Sequence, residues 1–421
     1  MIIEFKFKNV LSFKDWTILD FRVDKKEEKK FNGWGSMNIG REKLIKVVSL
    51  YGANASGKTN LIKVFKILKG IILAERKDRD EKIYIYPFML DDKSKETLSE
   101  FEILFFSNNI KYLYKLKVDV NQIYYESLEY YPGRKPLMIF ERKTENEISK
   151  ISFNNFLKID EIIKKEIEAK CIKNISVFKA YKQTNVSNEI IENALIFFNN
   201  IEGINISFLE LFEFININLR NGEIVYSENS NDKSIVDKFK DEVLLFLKNT
   251  DFNISDFIFE EIEASIGNKT EKIKVIKSFI HKIKNESGNI EYKELPFKLQ
   301  SQGTKKIITF LSLLLKNIKQ NNKVILVDEI ENSIHPLLLK HFIKKLLEMD
   351  NNFQIIFTTH YDPLLEWDEI IRKDFVWFTS KREDGSSELY PLTDFKGLNR
   401  ITSLKKAYNY GNFGAIPNIE D

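Results

Sequence analysis

Two glycines, a lysine and a threonine stand close together in Gly52-Ala53-Asn54-Ala55-Ser56-Gly57-Lys58-Thr59-Asn60. The order Gly, four residues, Gly-Lys-Thr suits the holding of a polyphosphate. Glycine lets the backbone wrap closely, so successive N–H groups converge on phosphate oxygens. On this reading Gly52, Asn54, Ala55, Ser56, Gly57, Lys58, Thr59 and Asn60 line the cradle. Lys58 supplies a point charge for the β- and γ-phosphates, and Thr59 offers its hydroxyl to Mg²⁺. The loop implies a nucleoside triphosphate without saying what the triphosphate is for.

A phosphate loop of this kind needs an acidic partner at the end of a buried strand. Lys323-Val324-Ile325-Leu326-Val327-Asp328-Glu329 has four apolar residues followed by two carboxylates. Asp328 is placed to hold the Mg²⁺ shell, often through water. Glu329 is placed to polarise a water attacking the γ-phosphate. Phe353-Gln354-Ile355-Ile356-Phe357-Thr358-Thr359-His360 reads as another buried strand, ending in a histidine. A neutral imidazole there can hydrogen-bond the γ-phosphate or the attacking water. Leu299-Gln300-Ser301-Gln302-Gly303-Thr304 puts a serine and a glycine before a helix expected from Lys305 to about Asn317. Taken alone, that serine also fits a helix cap. His281 and His341 are read as structural.

These groups need elements to position them. The run Leu44 to Leu50 is short, apolar and β-branched, and reads as one buried strand. After Thr59, the residues Leu61, Ile62, Phe65 and Leu68 recur at helical spacing, so a helix follows to about Gly70. The loop thus lies between a strand and a helix. In a parallel sheet the strand C-termini line one edge, which would bring Asp328 and His360 to the phosphates. Residues 1–25 read as two short strands around Asn9 to Phe13, and the charge run Lys25 to Lys30 as a solvated loop. Glu102 to Phe106 and Tyr112 to Val120 form a hairpin turning at Asn108-Asn109, and Tyr124 to Tyr131 is a further strand before a turn at Pro132-Gly133.

From Phe153 to Ile258 the pattern is helical, with Ile159, Ile162, Ile163 and Ile167 on one face. Ile262 to Tyr292 alternates again and reads as two strands joined at Glu286 to Asn289. Its lysines, Lys269, Lys272, Lys274, Lys277, Lys282 and Lys284, suit solvent faces and strand edges, with nucleic-acid contact as the alternative. Three segments result: 1–152, the N-terminal half of the nucleotide domain; 153–258, a helical insertion; and 259–421, its C-terminal half.

The chain has 421 residues, 43% hydrophobic and 30% charged, a balance that can bury a core. A net charge of +3 does not by itself imply a nucleic-acid partner. The single cysteine, Cys171, excludes an internal disulfide framework and fits a reducing cytosol. Its expected place is as a small buried or semi-exposed residue. The N-terminus alternates like a strand and lacks a signal-peptide core, and no window approaches eighteen consecutive apolar residues. A cytoplasmic protein with no membrane partner is expected.

The order phosphate loop, Ser-x-Gly before a helix, Asp-Glu, then Thr-His resembles the ABC-type ATPase head, in the branch of SMC, RecF and overcoming-lysogenisation-defect (OLD) nucleases. Asn9 to Phe13 resembles an edge that lies near the nucleotide in RecF-like heads, and Glu331 to Pro336 sits where the family has its D-loop, with His335 inside it. The chain is also similar to AAA-family ATPase subunits of two-gene prokaryotic phage-defence systems. That likeness rests on Pro87-Phe88, Glu126-Ser127-Leu128, Thr359-His360-Tyr361-Asp362-Pro363 and Tyr410 to Pro417. It covers both ends and all nucleotide motifs, and is weak over 153–258.

The resemblance implies an α/β fold: an ABC-type P-loop ATPase head with an antiparallel β subdomain and a helical insertion. It implies hydrolysis of ATP with Mg²⁺ as cofactor, and heads that form a homodimer or higher oligomer around nucleotide. Ser301 and Gly303 would then face the γ-phosphate held by a second subunit. A separate effector protein is the expected partner in defence, because the stretch after His360 is shorter than a typical catalytic domain. Two features depart from the family: Pro87-Phe88-Met89 stands where a Q-loop glutamine is expected, and the signature reads Gln-Ser-Gln-Gly-Thr. Residues 153–258 lack sustained heptads, so a short globular arm is expected in place of a coiled coil. The rival readings are a RecF-type head that binds duplex DNA through the Lys269–Lys284 strands, and a GTPase or small-molecule kinase. The last is disfavoured, since no Asn-Lys-x-Asp guanine-reading motif appears.

Overall fold

Phe5 and Phe7 alternate with Lys6 and Lys8, and this alternation seats the first strand, β1 (Ile2–Lys8), with its aromatic face inward. A computed structural model describes residues 1–205, 241, 244, 253–266, 269–301, 304–305, 307–308, 322–332 and 334–417. The chain forms two compact units: 1–204 with 321–330 and 343–421, and 205–320 with 331–342.

The first unit holds two large sheets. One is antiparallel and seven-stranded. Its members are β1, β2 (Thr17–Asp20), β6 (Ser99–Ser107), β7 (Ile110–Val118), β8 (Ile123–Tyr131), β9 (Leu137–Glu145) and β10 (Ile148–Phe153). Their order across the sheet is β10-β9-β8-β7-β6-β1-β2. The β6–β7 turn falls at Asn108 and Asn109, with φ of 48° and 62°, as the Asn-Asn pair implies. The other sheet has six strands: β5 (Val47–Gly52), β11 (Ile201–Asn205), β15 (Lys323–Asp328), β16 (Phe353–Thr358), β17 (Val376–Lys381) and β18 (Ser387–Pro391). Their order is β11-β15-β16-β5-β17-β18. β15, β16, β5 and β17 run parallel, so their C-terminal ends share one edge. A small ribbon pairs β3 (Ser36–Ile39) with β4 (Glu42–Ile45).

Helices α1 (Lys25–Phe31) and α2 (Lys58–Leu73) follow β2 in the chain, and α2 lies between the sheets. Phe65 meets Phe5 of the antiparallel sheet, ring centroids 4.5 Å apart, while the helix also packs on β5, β15 and β16. Burial from both sides explains why Leu61, Ile62, Val64, Phe65, Ile67, Leu68, Ile71 and Ile72 are all buried. Gln354, fully buried on β16, ties the layers: its amide accepts from Ile2 N–H at 2.7 Å and donates to Ile2 O at 2.8 Å. Helices α3 (Asp92–Lys95), α4 (Glu161–Lys170), α5 (Val177–Lys182) and α6 (Glu189–Asn199) belong to this unit, as does α8 (Leu404–Asn409). Helix α7 (Pro336–Glu348) has residues in both units. The α/β head with an antiparallel β subdomain is therefore present.

Several local expectations are corrected. The run Leu44 to Leu50 is two strands, because Lys46 breaks it, its ammonium donating to Met349 O at 2.6 Å. Lys25 to Phe31 is a helix, because Asp24 caps the N–H groups of Lys26 and Glu27. The hairpin β9–β10 adds a pair of strands that the sequence pattern does not announce, with Asn146 and Glu147 at its turn at φ of 48° and 63°. In the second unit, the expected junction at Glu286 to Asn289 does join two strands, β13 (Lys269–Lys284) and β14 (Ile290–Pro296), but Ile262 to Tyr292 also includes part of a third, β12 (Ile254–Ile266). Most of the helical pattern expected after Asn205, and most of the helix expected after Lys305, lie outside the described residues.

Candidate functional site

Every residue of β5 is buried, and the strand leads straight into the loop before α2. Gly52 has φ of 155°, and a Cβ there would meet the Thr379 carbonyl and Ser56 Oγ. Gly57, at φ 117°, would set a Cβ against Ser387. Both positions therefore require glycine. Ala55 adopts a left-handed φ of 60° at the loop's tip, where it and Asn54 are exposed. Gly57 is the N-cap of α2 and brings no side-chain acceptor, so the helix's first N–H groups remain available to an anion. Lys58 is buried; its ammonium donates to Gly52 O at 2.7 Å and Ala53 O at 2.9 Å. Ser56 is also buried, and its hydroxyl is engaged by Thr379, 2.6 Å away.

The carboxylates arrive from β15, with β16 separating that strand from β5. Asp328 Oδ1 accepts from the Thr59 hydroxyl at 3.2 Å and from the Thr358 hydroxyl at 2.6 Å. Glu329 is exposed, with its backbone in the left-handed region at φ 52°. Its N–H donates to Thr358 Oγ1 at 2.7 Å, and Ile330 N–H donates to Thr358 O at 3.1 Å. These bonds hold an unfavourable conformation that turns the chain sharply after Asp328. Thr359 is buried, its N–H donating to Leu50 O at 3.0 Å, and His360 emerges exposed just beyond it. The P-loop, Asp328, Glu329 and His360 thus belong to one unit and one sheet edge.

The donor set Thr59 hydroxyl and Asp328 carboxylate is hard, all oxygen and sparse. That suits Mg²⁺, which keeps several waters and takes its remaining ligands from phosphates. The two glycine positions that no Cβ can occupy provide the matching close backbone approach.

Asn60 Nδ2 donates to Ser12 Oγ at 2.9 Å, which brings the Asn9–Phe13 turn beside the loop. Asn9 is buried: its amide donates to Ser94 O and Thr97 O at 2.8 and 2.7 Å, and its Oδ1 accepts from Phe88 N–H at 2.9 Å. Asn9 and Pro87-Phe88 are thereby one substructure. Glu126 proves structural. It is fully buried, 3.6 Å from Arg142, and accepts from Tyr114 OH at 3.1 Å and Val177 N–H at 2.9 Å. Burial raises its carboxyl pKa, against the pull of Arg142 and these donors. Cys171 is buried, and burial pushes its thiol up to about 12. The C-terminal segment packs back onto the head: Phe413 stacks on Phe378 at 5.2 Å, and Tyr390 OH donates to Phe413 O at 2.7 Å. Tyr410 beside it is 81% exposed.

Ser301 belongs to the second unit and is exposed. Its hydroxyl accepts from Thr304 N–H at 3.1 Å, the geometry of a cap. Gly303 lies outside the described residues. Thr379 and Ser387, which contact the P-loop glycines, have no local sequence signal.

Residues 47–169 and 205–366 match the protein family described as "AAA domain, putative AbiEii toxin, Type IV TA system". An uncharacterized protein of Methanocaldococcus jannaschii, MJECL43, is 30% identical over 116 residues, which are 24% of this chain and 30% of that protein. An SMC head bound to the C-winged helix domain of ScpA is similar at 15% identity and a TM-score of 0.42, over 97% of this chain and 99% of that one. The SMC head domain from Thermotoga maritima is similar at 12% identity and a TM-score of 0.41, over 93% and 98%. Among the described residues, no helix is long and apolar enough to cross a membrane. With more than half of its residues matched and the P-loop folded between β5 and α2, the chain belongs to this AAA domain family.

Proposed function

We propose that this protein binds and hydrolyses ATP, that it works as a dimeric switch driven by nucleotide, and that it controls a separate effector in antiphage defence. The observation that carries the ATPase reading is Asp328 held 3.2 Å from the Thr59 hydroxyl, with Glu329 one residue on at the same sheet edge. Main-chain N–H groups of the loop and the start of α2 bind the phosphates, and Lys58 neutralises the β/γ charge. Thr59 and Asp328 are the residues that would hold Mg²⁺, which supplies charge neutralisation for the transferred phosphoryl group. Glu329 orients and deprotonates the attacking water. His360 hydrogen-bonds that water or the γ-phosphate. Ser301 and Gly303 serve the nucleotide of a partner subunit.

The defence role draws support from the toxin–antitoxin wording of the family description. Phosphate release from ATP and Mg²⁺ by the purified chain, absent in Lys58→Ala, tests the ATPase. Co-expression with the product of the neighbouring gene tests the switch: phage resistance should need both proteins and Lys58. Resistance or DNA cleavage by this protein alone would overturn the two-component reading. A RecF-type, DNA-binding role gains from exposed Lys277, Lys282 and Lys284 on β13. Salt-sensitive duplex binding would favour it.

A further inference from the structure

The P-loop is gripped from outside by the hairpin β17–β18. β17 runs beside β5, with Thr379 opposite Gly52. Thr379 is fully buried, and its hydroxyl lies 2.6 Å from Ser56 Oγ and 3.4 Å from Tyr51 O. Ser56 can therefore donate to Thr379, and Thr379 to the Tyr51 carbonyl, so both buried hydroxyls are satisfied in one short chain. On the second strand, Ser387 N–H donates to Ser12 O at 2.7 Å, and Ser387 Oγ donates to Ser12 Oγ at 2.7 Å. Ser12 Oγ also receives Asn60 from the first turn of α2. Ser387 is buried and sits where a Cβ on Gly57 would fall. One hairpin thus touches the loop at its start, through Gly52, in its middle, through Ser56, and at its end, through Gly57, and reaches Asn60 by way of Ser12.

We propose that Thr379 and Ser387 are positioning residues for the nucleotide: they hold the loop in its wrapped conformation before phosphate arrives. The proposal rests on the ATP-binding reading above. Ala55 is left-handed and the tip is exposed. From within, the loop is tied by the Lys58 ammonium to Gly52 O and Ala53 O; the hairpin adds support from the side at Gly52, Ser56 and Gly57. Removing the Thr379 hydroxyl strands the buried Ser56 hydroxyl and frees the loop to sample other conformations. Only the wrapped fraction then binds, so apparent affinity falls with that fraction.

The test uses the full chain carrying Thr379→Val, which keeps the β-branched shape, Thr379→Ser, which keeps the hydroxyl, and Ser387→Ala. ATP affinity is read by calorimetry, turnover by phosphate release, and loop opening by hydrogen exchange over residues 53–58. Thr379→Val should weaken ATP binding roughly three- to tenfold, the worth of one buried hydrogen bond. KM should rise in step while kcat at saturating ATP stays within about twofold, since the reacting groups are untouched. Thr379→Ser should restore affinity, and exchange over 53–58 should quicken in Thr379→Val alone of that pair. Should Thr379→Val fail to fold, Ser387→Ala decides by the same affinity and exchange readings. Wild-type affinity and exchange in both Thr379→Val and Ser387→Ala would overturn the proposal. A wild-type chain that binds no ATP would overturn the ATPase reading itself, and this proposal with it.

Discussion

Glu329 invites two substitutions with different effects on stability and the same effect on turnover. Its side chain is exposed, while its backbone at φ 52° is held by the Thr358 hydroxyl and carbonyl. Glu329→Gln keeps the shape, the backbone bonds and the neighbouring Asp328, and removes only the proton acceptor. Hydrolysis should fall roughly 10²- to 10⁴-fold, the range for loss of a positioned general base, with ATP affinity unchanged. Glu329→Gly removes the acceptor as well and also relieves the left-handed conformation. That conformation costs an L-residue about 1–2 kcal/mol, and glycine's extra freedom in the unfolded chain takes back about 0.5–1 kcal/mol, so a net gain of up to roughly 1.5 kcal/mol is expected. Phosphate release under saturating ATP reads the first effect, and the urea midpoint reads the second. Wild-type hydrolysis by Glu329→Gln would refute the catalytic role. A loss of stability in Glu329→Gly would refute the strain argument.

Lys58→Ala should weaken ATP binding roughly thirtyfold or more, since it removes the buried charge proposed to meet the β- and γ-phosphates, and calorimetry will show it. His360→Ala should slow turnover on the order of a hundredfold while leaving ATP affinity near wild type; an equal fall in affinity would mark a structural histidine. Arg142→Met should destabilise the fold by about 3–5 kcal/mol, because it leaves the Glu126 carboxylate buried without its cation. Burial already raises the Glu126 pKa, and removing Arg142 raises it further. A raised carboxyl pKa means the folded state holds the proton longer than the unfolded state, so stability falls as pH rises from the unfolded to the folded pKa. The urea midpoint of Arg142→Met should accordingly drop further below wild type at pH 8 than at pH 5.

The parts of the site that sequence can reveal are those whose chemistry is contiguous. Gly52 to Thr59 carries its own glycines, lysine and threonine, and Asp328 and His360 each come after an apolar run in a buried strand, Val324 to Val327 and Ile355 to Phe357. Asn108-Asn109 announces its hairpin because asparagine tolerates the left-handed region. What stays hidden depends on distant partners. Lys25 to Lys30 looks like a solvated charge run, yet Glu27 is buried and accepts from Lys373 N–H at 2.9 Å. Lys46 splits an apolar run because a carbonyl 303 residues away receives its ammonium. Thr379 and Ser387 are an ordinary threonine and serine in a strand hairpin, and become legible only when β17 is seen beside β5. Glu126 carries a motif resemblance and yet serves the core, because its carboxylate anchors the start of α5.

The grip of β17–β18 on the P-loop also sets a clock on synthesis. Ser387 is 375 residues from Ser12, Thr379 is 323 from Ser56, and Asp328 is 269 from Thr59. The ribosome completes the P-loop early and its companions late. At about 5–20 residues per second, roughly 15 to 65 s separate the emergence of Asn60 from that of Ser387. Through that interval the growing chain carries the nucleotide motif without the strands that shape it. A nascent or prematurely terminated product that lacks β17 and β18 should therefore be silent toward ATP. Chains stalled before Val376 on the ribosome should retain no ATP, whereas chains released after Pro417 should.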